Sequence, residues 1–175
     1  MRFAIAIPTD ADSWRVVRRA EELGFCRAWF YDTQMLSADP FVAMAAAAMK
    51  TTRIRLATGV LIPSNRIAAV AANAFASLNK LAPGRIDFGI GTGFTGRRAM
   101  GLGAVKLKDM EDQGIRIWNF IDRHARSCGR RRIGFYPWWV NRQGWRTRWK
   151  DLPPALRRST IRGRATPGAM ICWRC

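Results

Sequence analysis

Two aspartates and one glycine-rich loop hold most of the chemical potential of this sequence. Asp10 and Asp32 each close a short apolar run, where a carboxylate can move a proton to or from a substrate. The same position suits a helix cap, so either residue also has a purely structural reading. Gly91-Thr92-Gly93-Phe94-Thr95-Gly96 follows another such run with the GxGxxG spacing of a dinucleotide loop. That fingerprint should open a helix at once and meet an acidic ribose ligand about 20 residues on. Gly101 and Gly103 interrupt any such helix, and no strand leads to Asp109 or Glu111. A glycine-rich strand-to-helix loop is the better description. Arg97 and Arg98 beside it can meet a phosphate or another anionic tail, or simply be solvated. His124-x3-Cys128 and Cys172-x2-Cys175 have zinc-ligand types. The two pairs are far apart and one ligand is the last residue, so no metal is expected.

The elements that must position these groups alternate. Apolar strand runs fall at Phe3–Ile7, Ala28–Tyr31, Ile54–Ile62 and Ile86–Ile90, with helical periodicity between them. Val16, Ala20 and Leu23 share one helix face, with Ser13 as its cap and Gly24 after its end. Asp39-Pro40 opens a second helix, and a third runs from about Ala68 to Leu81 before Pro83-Gly84. Strands that are apolar on both faces, separated by amphipathic helices, imply a parallel sheet covered by helices. A doubly wound open sheet and a (β/α)8 barrel both fit. In a barrel Asp10, Asp32, Pro63-Ser64-Asn65 and the Gly91–Gly96 loop would reach the C-terminal face, where active sites lie.

Charge divides the chain. Of the 175 residues, 1–112 hold 15 Lys and Arg against 10 Asp and Glu, whereas 113–175 hold 15 against 2. The second segment also has six of the eight Trp, three of the four Cys and the only His. The net charge of +18 is therefore mostly the property of one third of the chain. Residues 113–175 show no lasting helical or strand period, and their Arg, Trp, Cys, Gly and Pro content suggests GC-rich coding DNA read out of frame. The reading is a 1–112 α/β domain followed by an irregular basic tail, frameshifted or disordered. If the tail is a genuine product, its Arg and Trp suit nucleic acid, through phosphate contacts and base stacking. Cys26 reads as a small buried residue, with no cause to infer disulfides. The N-terminus turns acidic too soon for a signal peptide, and no apolar run nears the ~20 residues of a membrane span. A cytoplasmic location is expected.

Residues 1–112 resemble the N-terminal part of the luciferase-like class of flavin- or deazaflavin-dependent oxidoreductases. Within that class the similarity is greatest to the methylenetetrahydromethanopterin reductase group. Five stretches in order carry it: Phe3-Ala-Ile-Ala-Ile-Pro-Thr-Asp10, Ala20-Glu-Glu-Leu-Gly-Phe25, Ala28-Trp-Phe-Tyr-Asp32, Ile54-Arg-Leu-Ala-Thr-Gly-Val-Leu-Ile-Pro63 and Leu81-Ala-Pro-Gly-Arg-Ile-Asp-Phe-Gly-Ile-Gly-Thr-Gly93. The resemblance implies an α/β fold, the N-terminal half of a (β/α)8 TIM barrel with about four βα units. It implies hydride transfer or monooxygenation of a small organic substrate with the deazaflavin coenzyme F420 or FMN. It places a non-prolyl cis peptide at Gly59–Val60, in a bulge that backs the cofactor ring. Gly91, Thr92, Gly93 and Arg97 become further candidate cofactor contacts, and Asp10 and Asp32 candidate catalytic groups. Relatives often follow the acidic residue at Asp32 with His; here Thr33 stands there, so a proton shuttle through that His is absent. Asp87, early in its strand, reads as structural and paired with an Arg. A half barrel leaves sheet edges unpaired, so the chain is expected to be truncated and inactive unless a homodimer completes it.

Overall fold

The computed structural model describes residues 3–127 and 133–137. Strands β1 (Ala4–Ile7), β2 (Arg27–Phe30), β3 (Arg55–Thr58), β4 (Ile86–Ile90) and β5 (Gly134–Pro137) form one parallel sheet in sequential order. Helices α1 (Ser13–Glu22), α2 (Pro40–Lys50) and α3 (Ala68–Leu81) make the first three crossovers. A 3-10 turn (Pro63–Asn65) precedes α3, and the short α4 (Phe94–Ala99) and long α5 (Leu107–Ser127) follow β4. A doubly wound sheet reverses its strand order at a switch point. Here every strand pairs with its sequence neighbour, Ala28 with Leu56 and Leu56 with Ile86, which is the order of a barrel wall. This decides between the two architectures.

The strands present two different faces. Ala28, Phe30, Leu56, Ile86, Phe88 and Ile90 join the helix residues Val17, Ala20, Ala43, Met44, Ala47, Ala71, Phe75 and Leu78 in one core. Phe75 meets both Phe41 and Phe88 edge to face, with ring centroids 5.1 and 4.9 Å away. The alternate residues Arg27, Trp29, Arg55, Ala57, Asp87 and Gly89 lie on the other face, because strand side chains alternate. Asp87 is paired with arginine, as its position in the strand suggests. Arg27 Nε donates to its carboxylate at 2.7 Å and Arg55 Nε at 2.8 Å, both at the N-terminal end of the strands.

Local signals explain the helix ends. Asp39 caps α2 through its carboxylate, which accepts from Phe41 N at 2.8 Å and Val42 N at 3.2 Å. Gly24 follows α1 in the left-handed region, φ 84°. Ser13, expected as the cap of α1, is instead its first residue and accepts from Asp10 N.

Three expectations are corrected. The βα pattern does not stop at Asp112: α5 passes through Gln113 to Ser127 as one amphipathic helix, and β5 then pairs with β4. Met110, Gly114, Ile117, Trp118 and Ile121 are its buried stripe. A Cβ on Gly114 would sit 2.3 Å from Ile90 Cδ1, so the helix rides close against the end of β4. The Gly91–Gly96 loop does open a helix, but α4 is only six residues long. Cys26 is not a free buried thiol; it is only half-buried at the lip of β2 and is disulfide-bonded. Residues 138–175, with most of the Arg/Trp-rich stretch, Cys172 and Cys175, lie outside the described residues, as do Cys128 and the side chain of His124. No helix among the described residues is long and apolar enough to cross a membrane.

Candidate active site

At the C-terminal ends of β2, β3 and β4 the loops enclose a cleft of about 500 Å³, within the usual range for small-molecule sites. Asp32 and Thr33 line it from the first loop, Gly59, Val60 and Ile62 from the second, and Gly91 to Gly96 from the third. The structure thus brings together Asp32, Gly59, Val60, Gly91, Thr92 and Gly93. Asp10 and Arg97 are not among the lining residues. Asp10 is exposed, and its Oδ1 accepts from Asp12 N at 3.1 Å in the turn before α1. Arg97 ties loops together: it donates to Gly103 O at 2.7 Å, Ser64 Oγ at 2.9 Å and Asn65 Oδ1 at 3.4 Å.

The middle wall is a β-bulge. Ala57 pairs with Asp87 and Leu61 with Ile90, so four residue steps on one strand face three on the other. Within the bulge the Gly59–Val60 peptide is cis, the geometry the resemblance implies. The buried Thr58 hydroxyl adds to the backbone bonds that cross the bulge, Leu61 N to Gly89 O at 2.8 Å and Gly91 N to Leu61 O at 3.1 Å. It donates to Gly89 O at 2.8 Å and accepts from Gly89 N at 3.1 Å. Glycine is required where these walls touch. A Cβ on Gly89 would fall 2.3 Å from Thr58 O, and one on Gly91 would fall 2.6 Å from Val60 Cγ2.

Asp32 is buried, and its carboxylate is fully engaged. Oδ1 accepts from Arg66 Nη1 at 2.9 Å and from Gln34 Nε2; Oδ2 accepts from Arg66 Nη1 at 2.8 Å and Ile62 N at 2.9 Å. Arg66 also donates to Asp39 Oδ2 at 2.8 Å, and Asn65 Nδ2 to Gln34 Oε1 at 2.6 Å. Burial works against the Arg66 charge, but Asp32 and Asp39 outweigh it and hold the guanidinium above its ordinary range. Arg66, Thr58, Ile62 and Gln34 are site-building residues that sequence reasoning missed. The available signal for Arg66 was general: a carboxylate at a buried strand end needs a cation or several N–H donors.

The family model for luciferase-like monooxygenases matches residues 7–122. The chain belongs to that family. Its relatives include a 5,10-methylenetetrahydromethanopterin reductase from Methanolobus tindarius, 38% identical over 74 residues, which cover 42% of this chain and 22% of the relative. An F420-dependent glucose-6-phosphate dehydrogenase from Intrasporangium calvum is 42% identical over 83 residues, covering 43% and 25%. Among solved structures, the monooxygenase RslO1 from Streptomyces bottropensis superposes with a TM-score of 0.54 at 27% identity, covering 72% of this chain and 42% of that one. The chain therefore spans a quarter or less of the length of these two curated relatives. The family match continues ten residues past Asp112, in step with α5 crossing the seam in composition.

The bulge yields a direct expectation. Thr58→Val keeps the side-chain shape but takes the hydroxyl from the buried Gly89 N–H, while Gly89 O keeps the Leu61 N–H at 2.8 Å. Thermal or denaturant unfolding should show a loss of about 1–3 kcal/mol. A change below about 0.5 kcal/mol would mean that the bulge is held by its neighbours alone.

Proposed function

We propose that this cleft holds the ring of a flavin or deazaflavin, and that the protein carries out hydride transfer or monooxygenation on a small organic substrate. The observation that carries the reading is the wall itself. It is built of Gly59, Val60, Ile62, Gly91 and Gly93, and its one carboxylate, Asp32, is neutralised by Arg66. Such a wall suits a flat, largely apolar heteroaromatic group, and the half-buried Thr33 and Thr92 supply hydroxyls for its polar edge. When bound, the group supplies two-electron chemistry, and the protein supplies binding, orientation and electrostatics. Val60 and the bulge would back the ring, and the Gly91–Gly93 backbone would flank it. Two relatives are named for reactions of this kind, one a reductase and one an F420-dependent dehydrogenase.

The test is a titration of the full chain with FMN and with F420, followed by ring fluorescence. Saturable quenching by one of them, with Kd near the micromolar range, is the expected result. No saturable change with either up to about 100 µM would overturn the reading.

A further inference from the structure

We propose that Arg66 and Asp32 form a positioning pair that keeps the cleft electrically neutral and locks its first two loops, so that Asp32 is not the proton-transfer group of the site. The inference rests on the cleft being the ring site. A carboxylate has about four lone-pair positions. In Asp32 two of them face Arg66 Nη1, one faces Gln34 Nε2 and one faces Ile62 N. A general base must have a free lone pair within reach of the proton it takes. Asp32 has none left for a substrate, although it lines the cleft.

The bonds converge on loop geometry instead. The Ile62 N–H fixes the end of the bulge segment against the end of β2. Arg66 carries the tie onward to Asp39, the cap of α2, and its guanidinium lies 5.1 Å from the centre of the Phe41 ring. Asn65 adds a second strand to the tie by donating to Gln34, and Arg97 reaches Asn65 from α4. One network therefore joins the loops after β2, β3 and β4 beside the cleft. Preorganised loops of this kind bind a ligand with less ordering cost.

The charged groups around Asp32 are few. Arg66 contacts it directly, and Asp39 shares that arginine. From α4, which packs against the Asp32 backbone at Gly96, Arg97 is turned to Gly103, Ser64 and Asn65, and Arg98 is exposed. Removing Arg66 would leave a buried carboxylate without its cation, which disfavours its charged form in the folded state. A buried carboxyl that folding keeps from ionising gives stability that is present at low pH and lost as pH rises.

The experiment compares wild type, Asp32→Asn, Arg66→Gln, Arg66→Lys and the double variant Arg66→Gln/Asp32→Asn. Unfolding midpoints and the affinities for FMN and F420 are both measured from about pH 5 to 8. Arg66→Gln should lose midpoint as pH rises, and its ring affinity should fall ~10-fold or more at the upper end. The double variant should be flat with pH and recover most of both quantities. Arg66→Lys, which keeps the charge, should fall between. The midpoints judge the pair even if no protein binds either ring, an outcome that would sink the function reading alone. An Arg66→Gln midpoint with the pH dependence of wild type, or a double variant no better than the single one, would overturn the pair. So would Asp32→Asn abolishing turnover while the midpoint and ring affinity stay at wild-type values.

Discussion

Asp87→Ala is expected to cost about 3–5 kcal/mol, enough to bring a typical domain close to unfolding. The wild-type carboxylate is fully buried and sits between two arginines from neighbouring strands, Arg27 on β2 and Arg55 on β3. Arg27 is 2% exposed, so it cannot swing into water when its anion is lost. Its guanidinium also lies 5.2 Å from the centre of the Trp29 ring. Breaking a buried ion pair from one side costs more than the intact pair contributes, and that penalty dominates. The pair itself is a different matter. Arg27→Met combined with Asp87→Leu, an apolar replacement of similar bulk, should recover much of the loss. Arg55 is the check on this, because it also donates to Gly84 O at 2.7 Å and is one third exposed, so it can be hydrated. Denaturant unfolding of the three proteins measures the cost. A loss under about 1 kcal/mol for Asp87→Ala would mean that water reaches this end of the sheet.

The Asp87 cluster was half legible in advance. An aspartate early in an apolar strand must find a cation, and arginines were plentiful. Which ones depended on register, since Arg27 aligns with Arg55 and Ala57 with Asp87. The strands and first three helices were legible because their apolar residues repeat at the right periods and their ends carry Asp39-Pro40 and Gly24. Helix α5 was missed although Met110, Ile117, Trp118 and Ile121 keep a helical spacing. The scarcity of acidic residues after Asp112 blurs the polar face opposite that stripe, and Gly114 within it is a poor helix former. It is tolerated because the Ile90 side chain occupies the place of its Cβ. In the site, Gly59, Val60 and the Gly91 loop were reached through a family resemblance. Their role in bringing two loops together appears only once β3 and β4 are paired. Arg66 was not legible, because its tie to Asp32 spans 34 residues and is made by a bulge and a 3-10 turn that no periodicity announces.

Gly93→Val is expected to reduce ring affinity by ~30-fold or more, the larger of the two changes expected in the cleft. Gly93 precedes α4 at φ 65° and ψ 41°, a left-handed conformation that costs an ordinary residue about 1–2 kcal/mol. Space is the second obstacle. A Cβ there would fall 2.1 Å from Ile62 Cγ1 and 2.2 Å from Ile62 Cδ1. Ile62 is buried and its own N–H is held by Asp32, so it has little freedom to retreat. Overpacking of this sort costs about 1–3 kcal/mol. Together the two effects reach about 2–5 kcal/mol, and each 1.4 kcal/mol is tenfold in affinity if the loop leaves its binding geometry. The strain falls on the loop lining the cleft, so the unfolding midpoint should move less than the ring affinity does. Gly103→Ala is the control: nothing lies within 4 Å of its added Cβ, and it should bind like wild type. A titration of the three proteins with whichever ring binds the wild type decides the matter. Unchanged affinity in Gly93→Val would remove this loop from the ring site and leave Gly59 and Val60 as its only proposed support.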